Sequence, residues 1–319
     1  MKIVYMGTPE FACKPLLALH ESRHEIAVVV TGRDKRRGRR GEACATDVHC
    51  VAGELGLPVL TPKSLRSEQL YQELRACRPD LIVVVAFRIL PERLFSLPEF
   101  GAVNIHASLL PKYRGAAPIN WALINGERET GLTSFFLNAK VDTGNIILQE
   151  KTAIGEDENC DSLRARLSEM SGPFLLRTID LIEQDGFTPT LQHESQATPA
   201  PKIRPFDALI DFGLPAARVT DFVRGLSTRP GAYTWFRGKK IKILVCRETE
   251  TSVAAATRPG SVIPAGGQLV IRCADSAIEV QSLVPEGKKA MDGRSFVNGF
   301  RPKATEVFGE PVQGIKEKK

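Results

Sequence analysis

The 319-residue chain is predicted to form an α/β fold, a doubly wound and mostly parallel sheet, followed by a small C-terminal β-barrel of the oligonucleotide-binding type. Two observations predict this architecture. The first 110 residues alternate β-rich apolar runs with segments of helical spacing, and several runs are continuous, as in strands buried on both faces of a parallel sheet. Beyond residue 207, short strands follow each other closely with turn residues between them, a pattern typical of small barrels.

The N-terminal half is predicted to alternate strands and helices. Strands are expected at KIVYM (2–6), EIAVVVT (25–31), LPVLT (57–61), LIVVVAF (81–87) and AVNIHA (102–107). Helices are expected at 11–20, 46–56 and 64–77, the first of them starting at Thr8-Pro9-Glu10 with the threonine hydroxyl as its cap. Since ligands bind at the carboxyl ends of strands in such sheets, the functional residues are expected at that edge.

After Trp121 the pattern predicts paired strands at 131–140 and 144–154, joined through Val141-Asp142-Thr143-Gly144. A helix over 161–184 follows, with a buried stripe at Leu163, Leu167, Met170, Phe174 and Ile182. Three parts are predicted: a catalytic domain over 1–185, a proline-containing linker over 186–207, and the barrel domain over 208–319. In the last part a helix is expected at 216–226, and strands at 232–236, 240–245, 260–263, 268–273 and 277–283.

Composition narrows the class of protein. Hydrophobic residues make up 43% and charged residues 25%, which excludes wholesale disorder. No run approaches the roughly 18 apolar residues of a membrane span, so a cytoplasmic protein is expected. The seven cysteines contain no CxxC pair, which favours reduced thiols over disulfides or structural zinc.

The net charge is only +6, but six of the eight residues over 33–40 are Lys or Arg, and such clustering favours a polyanionic partner.

Asn104 and His106 form the most informative pair of polar residues. They lie two apart in an apolar strand, so their side chains point to the same face. No other metal ligand lies at close spacing, and Ser108 is followed by Leu-Leu-Pro rather than the glycine-containing elbow of a serine nucleophile. A metal site and covalent serine catalysis are therefore disfavoured. A His–Asn pair satisfied within the sheet core remains an open alternative.

Asp142 favours a catalytic interpretation of this pair. Its loop lies between two strands that can return it to the edge where His106 is expected. A carboxylate facing an imidazole orients the ring and stabilises its charged form, while an asparagine amide alongside stabilises a carbonyl oxygen under attack. These residues indicate acyl transfer without an enzyme nucleophile. A dehydrogenase is disfavoured, because Gly7 is followed by Thr-Pro-Glu-Phe and no GxGxxG is present.

The sequence resembles the folate-dependent formyltransferase family. The resemblance rests on Asn104, His106, the run Ser108–Pro111, Arg114–Ile119 and Asp142-Thr143-Gly144. It extends from Met6-Gly7-Thr8-Pro9 to the end of the chain. Motifs of the C-terminal half are similar to those of members that act on methionyl initiator tRNA: Ala200–Ile203, Arg224-Gly225, Pro230–Ala232 and Gly287–Met291.

The resemblance implies the site residues and their roles. It implies transfer of the formyl group of 10-formyltetrahydrofolate to the α-amine of the methionyl ester, with Asn104, His106 and Asp142 as catalytic residues and no metal. The folate site would be lined by Ser108, Leu109, Leu110 and Pro111 and bordered by Phe87, Arg88, Ile89 and Leu90. The tRNA would be contacted by Arg36, Arg37, Arg39, Arg40, Lys202, Lys288 and Lys289.

Two other functions share part of this pattern. A formyltransferase acting on an amino-sugar nucleotide would have the same N-terminal motifs, but the basic loop and the C-terminal motifs favour a long polyanion. A tRNA-binding module with an inactive formyl site is disfavoured by the intact Asn104, His106 and Asp142. The protein is expected to be a monomer.

Overall fold

Two separate sheets form the framework of the protein, as the sequence predicts. The computed structural model describes residues 1–33, 35–36, 43–249 and 257–309. The chain divides into two compact units. The first contains Met1–Pro118, Glu129–Ala153 and Arg164–Pro201, and the second contains Ile119–Arg128, Ile154–Leu163 and the chain from Lys202 onward.

The first unit contains a seven-stranded sheet whose predicted strands are confirmed. Its strands are β1 (Lys2–Gly7), β2 (Glu25–Val30), β5 (Val59–Leu60), β6 (Leu81–Val85), β7 (Ala102–His106), β9 (Glu129–Phe136) and β10 (Ile146–Ala153). They lie in the order β10-β9-β7-β6-β1-β2-β5, and those at the centre are almost fully buried because apolar β-branched residues occupy consecutive positions. Two short pairs lie outside the sheet: β3 (Lys35–Arg36) with β4 (Ala43–Cys44), and β8 (Arg114–Gly115) with β11 (Pro199–Ala200).

Three helices lie at the predicted positions: α1 (Cys13–His20), α2 (Asp47–Glu54) and α3 (Glu68–Cys77). The short helix α4 (Glu92–Phe95), which follows β6, was not predicted. The predicted hydroxyl cap of the first helix is wrong. The chain enters α1 through a 3₁₀ turn, Glu10–Ala12, whose N-cap residue is Pro9 and which has no side-chain cap. Thr8 lies one residue too early to accept the amide hydrogens that a capping hydroxyl binds.

Strand β7 carries Asn104 and His106 and lies where the sheet changes direction. It pairs in parallel with β6 and antiparallel with β9. The long helix α6 (Cys160–Ile182) confirms the predicted stripe: Leu163, Leu167 and Phe174 are fully buried, Ile182 is buried and Met170 is half-buried. In this arrangement, β7 ends at the edge of the sheet where the functional residues are expected.

The second unit contains an antiparallel half-barrel sheet. Its strands are β12 (Tyr233–Phe236), β13 (Lys239–Thr249), β14 (Val262–Ala265), β15 (Gln268–Arg272), β16 (Ala277–Pro285) and β17 (Met291–Asp292). They lie in the order β12-β13-β16-β15-β14, with β17 paired to β16. The helices are α5 (Pro118–Ile124), α7 (Ala216–Leu226) and α8 (Gly293–Phe300), of which α5 and α8 were not predicted. An aromatic cluster fills the core, where the Phe296 ring lies 5.7 Å from Phe236 and 4.3 Å from Phe300.

The segment predicted as a linker makes ordered contacts within the first unit. Thr190 and Ile146 exchange two backbone hydrogen bonds of 2.7 and 2.8 Å, and β11 pairs with β8. The domain boundaries at residues 185 and 208 stay predictions. None of the six cysteines whose side chains are described forms a disulfide. No helix in the described part of the chain has the length and apolar composition to cross a membrane.

Candidate active site

His106 is buried at the end of β7, and its Nε2 atom is held by a backbone carbonyl. The Nε2 atom lies 2.8 Å from the carbonyl oxygen of Tyr113. Because a carbonyl oxygen only accepts, Nε2 carries the hydrogen. The other nitrogen, Nδ1, is therefore the one that can act on a ligand, and it donates only when the ring is doubly protonated.

Asp142 faces this second nitrogen. Its Oδ2 atom lies 3.8 Å from His106 Nδ1 and accepts a 2.8 Å hydrogen bond from the backbone N–H of Gly115. The residue is only 9% exposed, so this charge-assisted bond contributes about 1.5–3 kcal/mol that water does not replace. The predicted approach of Asp142 to His106 is thus present. The remaining gap is too long for a direct hydrogen bond but suits an ion pair or a bridging group.

Asn104 presents a buried polar atom without a partner. Among the described residues, its Oδ1 atom has no hydrogen-bond partner although it is shielded from solvent. An unsatisfied buried acceptor costs about 1–3 kcal/mol, so the core-network interpretation, in which the protein itself satisfies Asn104, does not fit its amide oxygen. The two ends of an amide exchange by rotation about χ2. Asn104 is therefore a polar group available to a ligand on the same face of β7 as His106.

A small network fixes the loop that follows β7. Thr133 on β9 donates a 2.6 Å hydrogen bond to the Ser108 carbonyl oxygen and accepts one of 3.1 Å from the Leu110 amide. Gln149 on β10 donates to the Leu110 carbonyl oxygen at 2.8 Å and to the Thr133 hydroxyl at 3.0 Å. Neither residue was singled out from the sequence. Thr133 is buried in β9, and a buried hydroxyl in an apolar strand is a usable signal, whereas Gln149 is exposed on β10 and nothing in the sequence marks it.

The predicted folate-lining residues differ in their exposure and in the groups that a ligand could contact. The side chains of Ser108, Leu110 and Leu90 are buried, and the Ser108 hydroxyl donates to the Lys112 carbonyl oxygen at 2.7 Å. A ligand at these positions would meet backbone groups. Ile89 is 75% exposed, whereas Leu109, Pro111 and Phe87 are partly exposed. Arg88 is exposed, with its guanidinium 5.1 Å from the Phe87 ring centre and bonded to the carbonyl oxygens of Pro62 and Lys63.

Arg114 and Gln192 complete the surroundings of Asp142. Gln192 Nε2 donates to the carbonyl oxygens of Asp142 and Gly144, at 3.0 and 2.8 Å. Its Oε1 atom accepts two hydrogen bonds from Arg114, of 3.1 and 2.8 Å. Sequence reasoning missed Gln192, because it lies in a polar segment predicted to be a linker and nothing in its neighbourhood marks it.

The predicted basic residues fall in different places. Lys202, Lys288 and Lys289 are exposed in the second unit. Arg36 lies in β3, but its side chain, like Arg37, Arg39 and Arg40, lies outside the described residues.

A separate cluster of His24, Asp180 and Glu183 could in principle ligate a cation. Their ligand atoms lie within 4.8 Å of one another, and no other such group of three occurs in the described part of the chain. Arg23 already forms ion pairs with both carboxylates, and the terminal ammonium group lies 3.7 Å from Glu183. The cluster is therefore a balanced ion-pair network. Burial and the neighbouring ammonium group lower the pKa of His24.

Comparison with known proteins gives a consistent result over both units. A family model described as formyl transferase matches residues 1–179, and one described as formyl transferase, C-terminal domain, matches residues 202–301. A protein named methionyl-tRNA formyltransferase from Chlorobium luteolum is 44% identical, and the match covers 96% of this chain and 99% of the relative.

Solved structures share the fold at much lower sequence identity. The structure of WlaRD, a sugar 3N-formyl transferase, matches with a TM-score of 0.66 at 16% identity, covering 91% of this chain and 99% of that one. HypX from Aquifex aeolicus, in complex with tetrahydrofolic acid, matches with a TM-score of 0.63 at 18% identity, covering 94% of this chain and 47% of that one. At these identities the likeness concerns the fold alone.

The loop that carries Asp142 provides the first test of this geometry. A Cβ atom at Gly144 would lie 1.6 Å from the Phe136 carbonyl oxygen, so Gly144→Ala must displace the loop. We expect the free energy of unfolding to fall by about 1–3 kcal/mol and amide exchange over 142–145 to accelerate. Gly53→Ala in α2 is the matched control, because a Cβ there meets no atom within 4 Å. Equal stability and exchange in the two variants would contradict the described loop packing.

Proposed function

The chain belongs to the formyl transferase family, and we propose that it transfers the formyl group of 10-formyltetrahydrofolate to the free α-amine of methionyl initiator tRNA. The observation that carries this proposal is the 44% identity to a methionyl-tRNA formyltransferase over nearly the full length of both proteins. The similarity to that relative includes the C-terminal half, where a second family model matches residues 202–301.

The polar atoms of the site suit attack by an amine on a carbonyl. The deprotonated α-amine attacks the formyl carbon, a new C–N bond forms, and the bond from that carbon to N10 of the folate breaks. The amine loses a proton and N10 gains one, so no covalent bond to the protein is required. The protein contributes by stabilising the intermediate of this attack, because negative charge develops there on the formyl oxygen.

We assign the catalytic roles to Asn104, His106 and Asp142. The Asn104 amide and the Nδ1–H of a charged His106 ring donate hydrogen bonds to the formyl oxygen. Asp142, 3.8 Å from that nitrogen, stabilises the charged ring and can relay the amine proton through water. The Tyr113 carbonyl oxygen keeps the ring in place by accepting from Nε2. No metal is needed for these roles.

The residues near β6 and β7 fit a folate. The unpartnered Oδ1 atom of Asn104 is an acceptor for a polar ligand group, and partly exposed Phe87 and Ile89 offer apolar surface for a flat ring. Arg88 and Leu90 complete the border at the end of β6. The run Ser108, Leu109, Leu110 and Pro111 lines the site mainly through its backbone, which Thr133 and Gln149 hold fixed.

The tRNA is assigned to basic residues in both halves of the chain. Arg36, Arg37, Arg39 and Arg40 contact the acceptor stem, and Lys202, Lys288 and Lys289 contact backbone phosphates. Such contacts add affinity and salt dependence more than sequence choice. We further propose a catalytic domain over 1–185, a linker over 186–207, a tRNA-binding domain over 208–319, and a cytoplasmic monomer.

An assay of formyl transfer tests the proposed function directly. We expect the protein, incubated with 10-formyltetrahydrofolate, to formylate charged initiator tRNA and not an amino-sugar nucleotide. Product is measured as formylmethionyl-tRNA after acid precipitation, and as formylated sugar by mass spectrometry. Transfer only to the sugar would overturn the assigned acceptor. Binding of tRNA without transfer to either acceptor would instead identify an inactive tRNA-binding module.

The same assay tests the catalytic residues. His106→Ala and Asp142→Ala are each expected to lower kcat on the order of 10²–10³-fold, because they act where charge develops. The KM for charged tRNA should change little. His20→Ala, at an exposed histidine at the end of α1, is the matched control and should retain full activity. An effect mainly on KM would contradict the assignment of His106 and Asp142 to the formyl centre.

Salt dependence tests the basic loop. Replacing Arg36, Arg37, Arg39 and Arg40 by Gln should weaken tRNA binding and reduce the slope of log K against log salt by about 0.9 for each lost phosphate contact on a duplex. The pair Arg39→Gln/Arg40→Gln is compared with Arg75→Gln/Arg78→Gln, two exposed arginines at the end of α3. Equal slopes for the two pairs would show that the loop acts only through net charge.

A further inference from the structure

The Asp142 loop holds its catalytic residue in an unfavourable backbone conformation. Asp142 has a φ of 54°, in the left-handed region that residues other than glycine rarely adopt. Its side chain is nevertheless fixed on the Gly115 amide. Such a conformation persists only where neighbouring groups restrain it, so the carboxylate position depends on what holds the loop backbone.

Gln192 supplies that restraint. The two hydrogens of its Nε2 amide group bond to the carbonyl oxygens of Asp142 and Gly144, on either side of Thr143 in this loop. Both acceptors belong to the backbone that sets the direction of the Asp142 side chain. Loss of these bonds would leave two part-buried carbonyl groups with fewer partners and release the turn.

Gln192 is itself immobilised by charged residues. Its Oε1 atom accepts from Arg114 Nε and Nη2, and the same guanidinium group binds both carboxylate oxygens of Glu194, at 2.9 and 3.0 Å. The Arg114 side chain is only 12% exposed. The pairing with Arg114 lowers the pKa of Glu194. The amide of Gln192 is thereby fixed in one orientation, with its donors toward the loop.

We propose that Gln192 is a positioning residue, which sets the Asp142 carboxylate against His106 and is oriented by Arg114 and Glu194. This inference rests on the proposed formyl transfer for its kinetic consequence. The geometric part stands on the hydrogen bonds alone. Gln192 contributes from the segment between the two family-model matches, outside the motifs that carry the resemblance.

A kinetic double-mutant cycle tests the coupling. Gln192→Ala and the near-isosteric Gln192→Met are expected to lower kcat about 10- to 100-fold, since small misplacements of a catalytic group cost that much. In an Asp142→Ala background, either change should have less than about a twofold further effect, because no carboxylate remains to be positioned. Equal losses in both backgrounds would overturn the proposal. Gln196→Ala is the matched control: Gln196 is exposed in the same segment, and no hydrogen bond of its side chain occurs among the described residues.

Amide exchange separates this proposal from the proposed function. The Gly115 amide donates to Asp142, so its exchange rate reports the carboxylate position without any substrate. We expect Gln192→Ala and Gln192→Met to accelerate Gly115 exchange about tenfold or more, while Ala117, which donates to the Ala200 carbonyl oxygen, stays unchanged. Unchanged Gly115 exchange would overturn the positioning role even in an active enzyme. If the wild-type protein fails to formylate tRNA but Gly115 exchange accelerates, the proposed function fails and the positioning role stands.

Discussion

A carboxylate shielded from water must find a donor or a positive charge, and the candidate active site is arranged around the way Asp142 meets this requirement. Its donor is the Gly115 amide, on the short strand that pairs with Pro199–Ala200. Its facing nitrogen is His106 Nδ1, presented by β7. Three segments therefore meet at one carboxylate: β7 of the seven-stranded sheet, the short strand β8 outside that sheet, and the loop between β9 and β10.

The position of β7 explains why the site lies where it does. The strand continues a parallel sheet on one side and accepts an antiparallel partner on the other, so polar residues of β9 and β10 reach the loop that leaves it. Thr133 illustrates the consequence, because its single hydroxyl donates to one backbone group of that loop and accepts from another. The backbone of this loop is thus bonded by side chains from two neighbouring strands.

The sequence was sufficient for the parts of the fold that depend on local patterns. Continuous runs such as Leu81–Val85 predicted buried parallel strands, and the spacing of Asn104 and His106 predicted their common face. Helix α8 escaped detection because Gly293 and Gly299 lower its helical propensity, while its Asp292 cap is recognised only once the helix is known. Gln192 escaped because its partners lie 48 to 78 residues away, and hydrogen bonds of that kind leave no periodic trace.

The second compact unit is built from three separate segments of the chain, which affects the order of folding during synthesis. Its core includes Ile124, and Asp161 accepts a 2.7 Å hydrogen bond from the Thr228 amide, so two stretches synthesised early belong with the chain that follows Lys202. On the ribosome, residues 119–128 and 154–163 emerge before their partners exist. These residues cannot pack until the chain beyond Lys202 has been made. By contrast, all strands of the seven-stranded sheet are present once residue 153 has been synthesised. Vectorial synthesis therefore favours folding of the seven-stranded sheet first. A chain cut at residue 202 would separate residues 119–128 and 154–163 from the rest of the second unit.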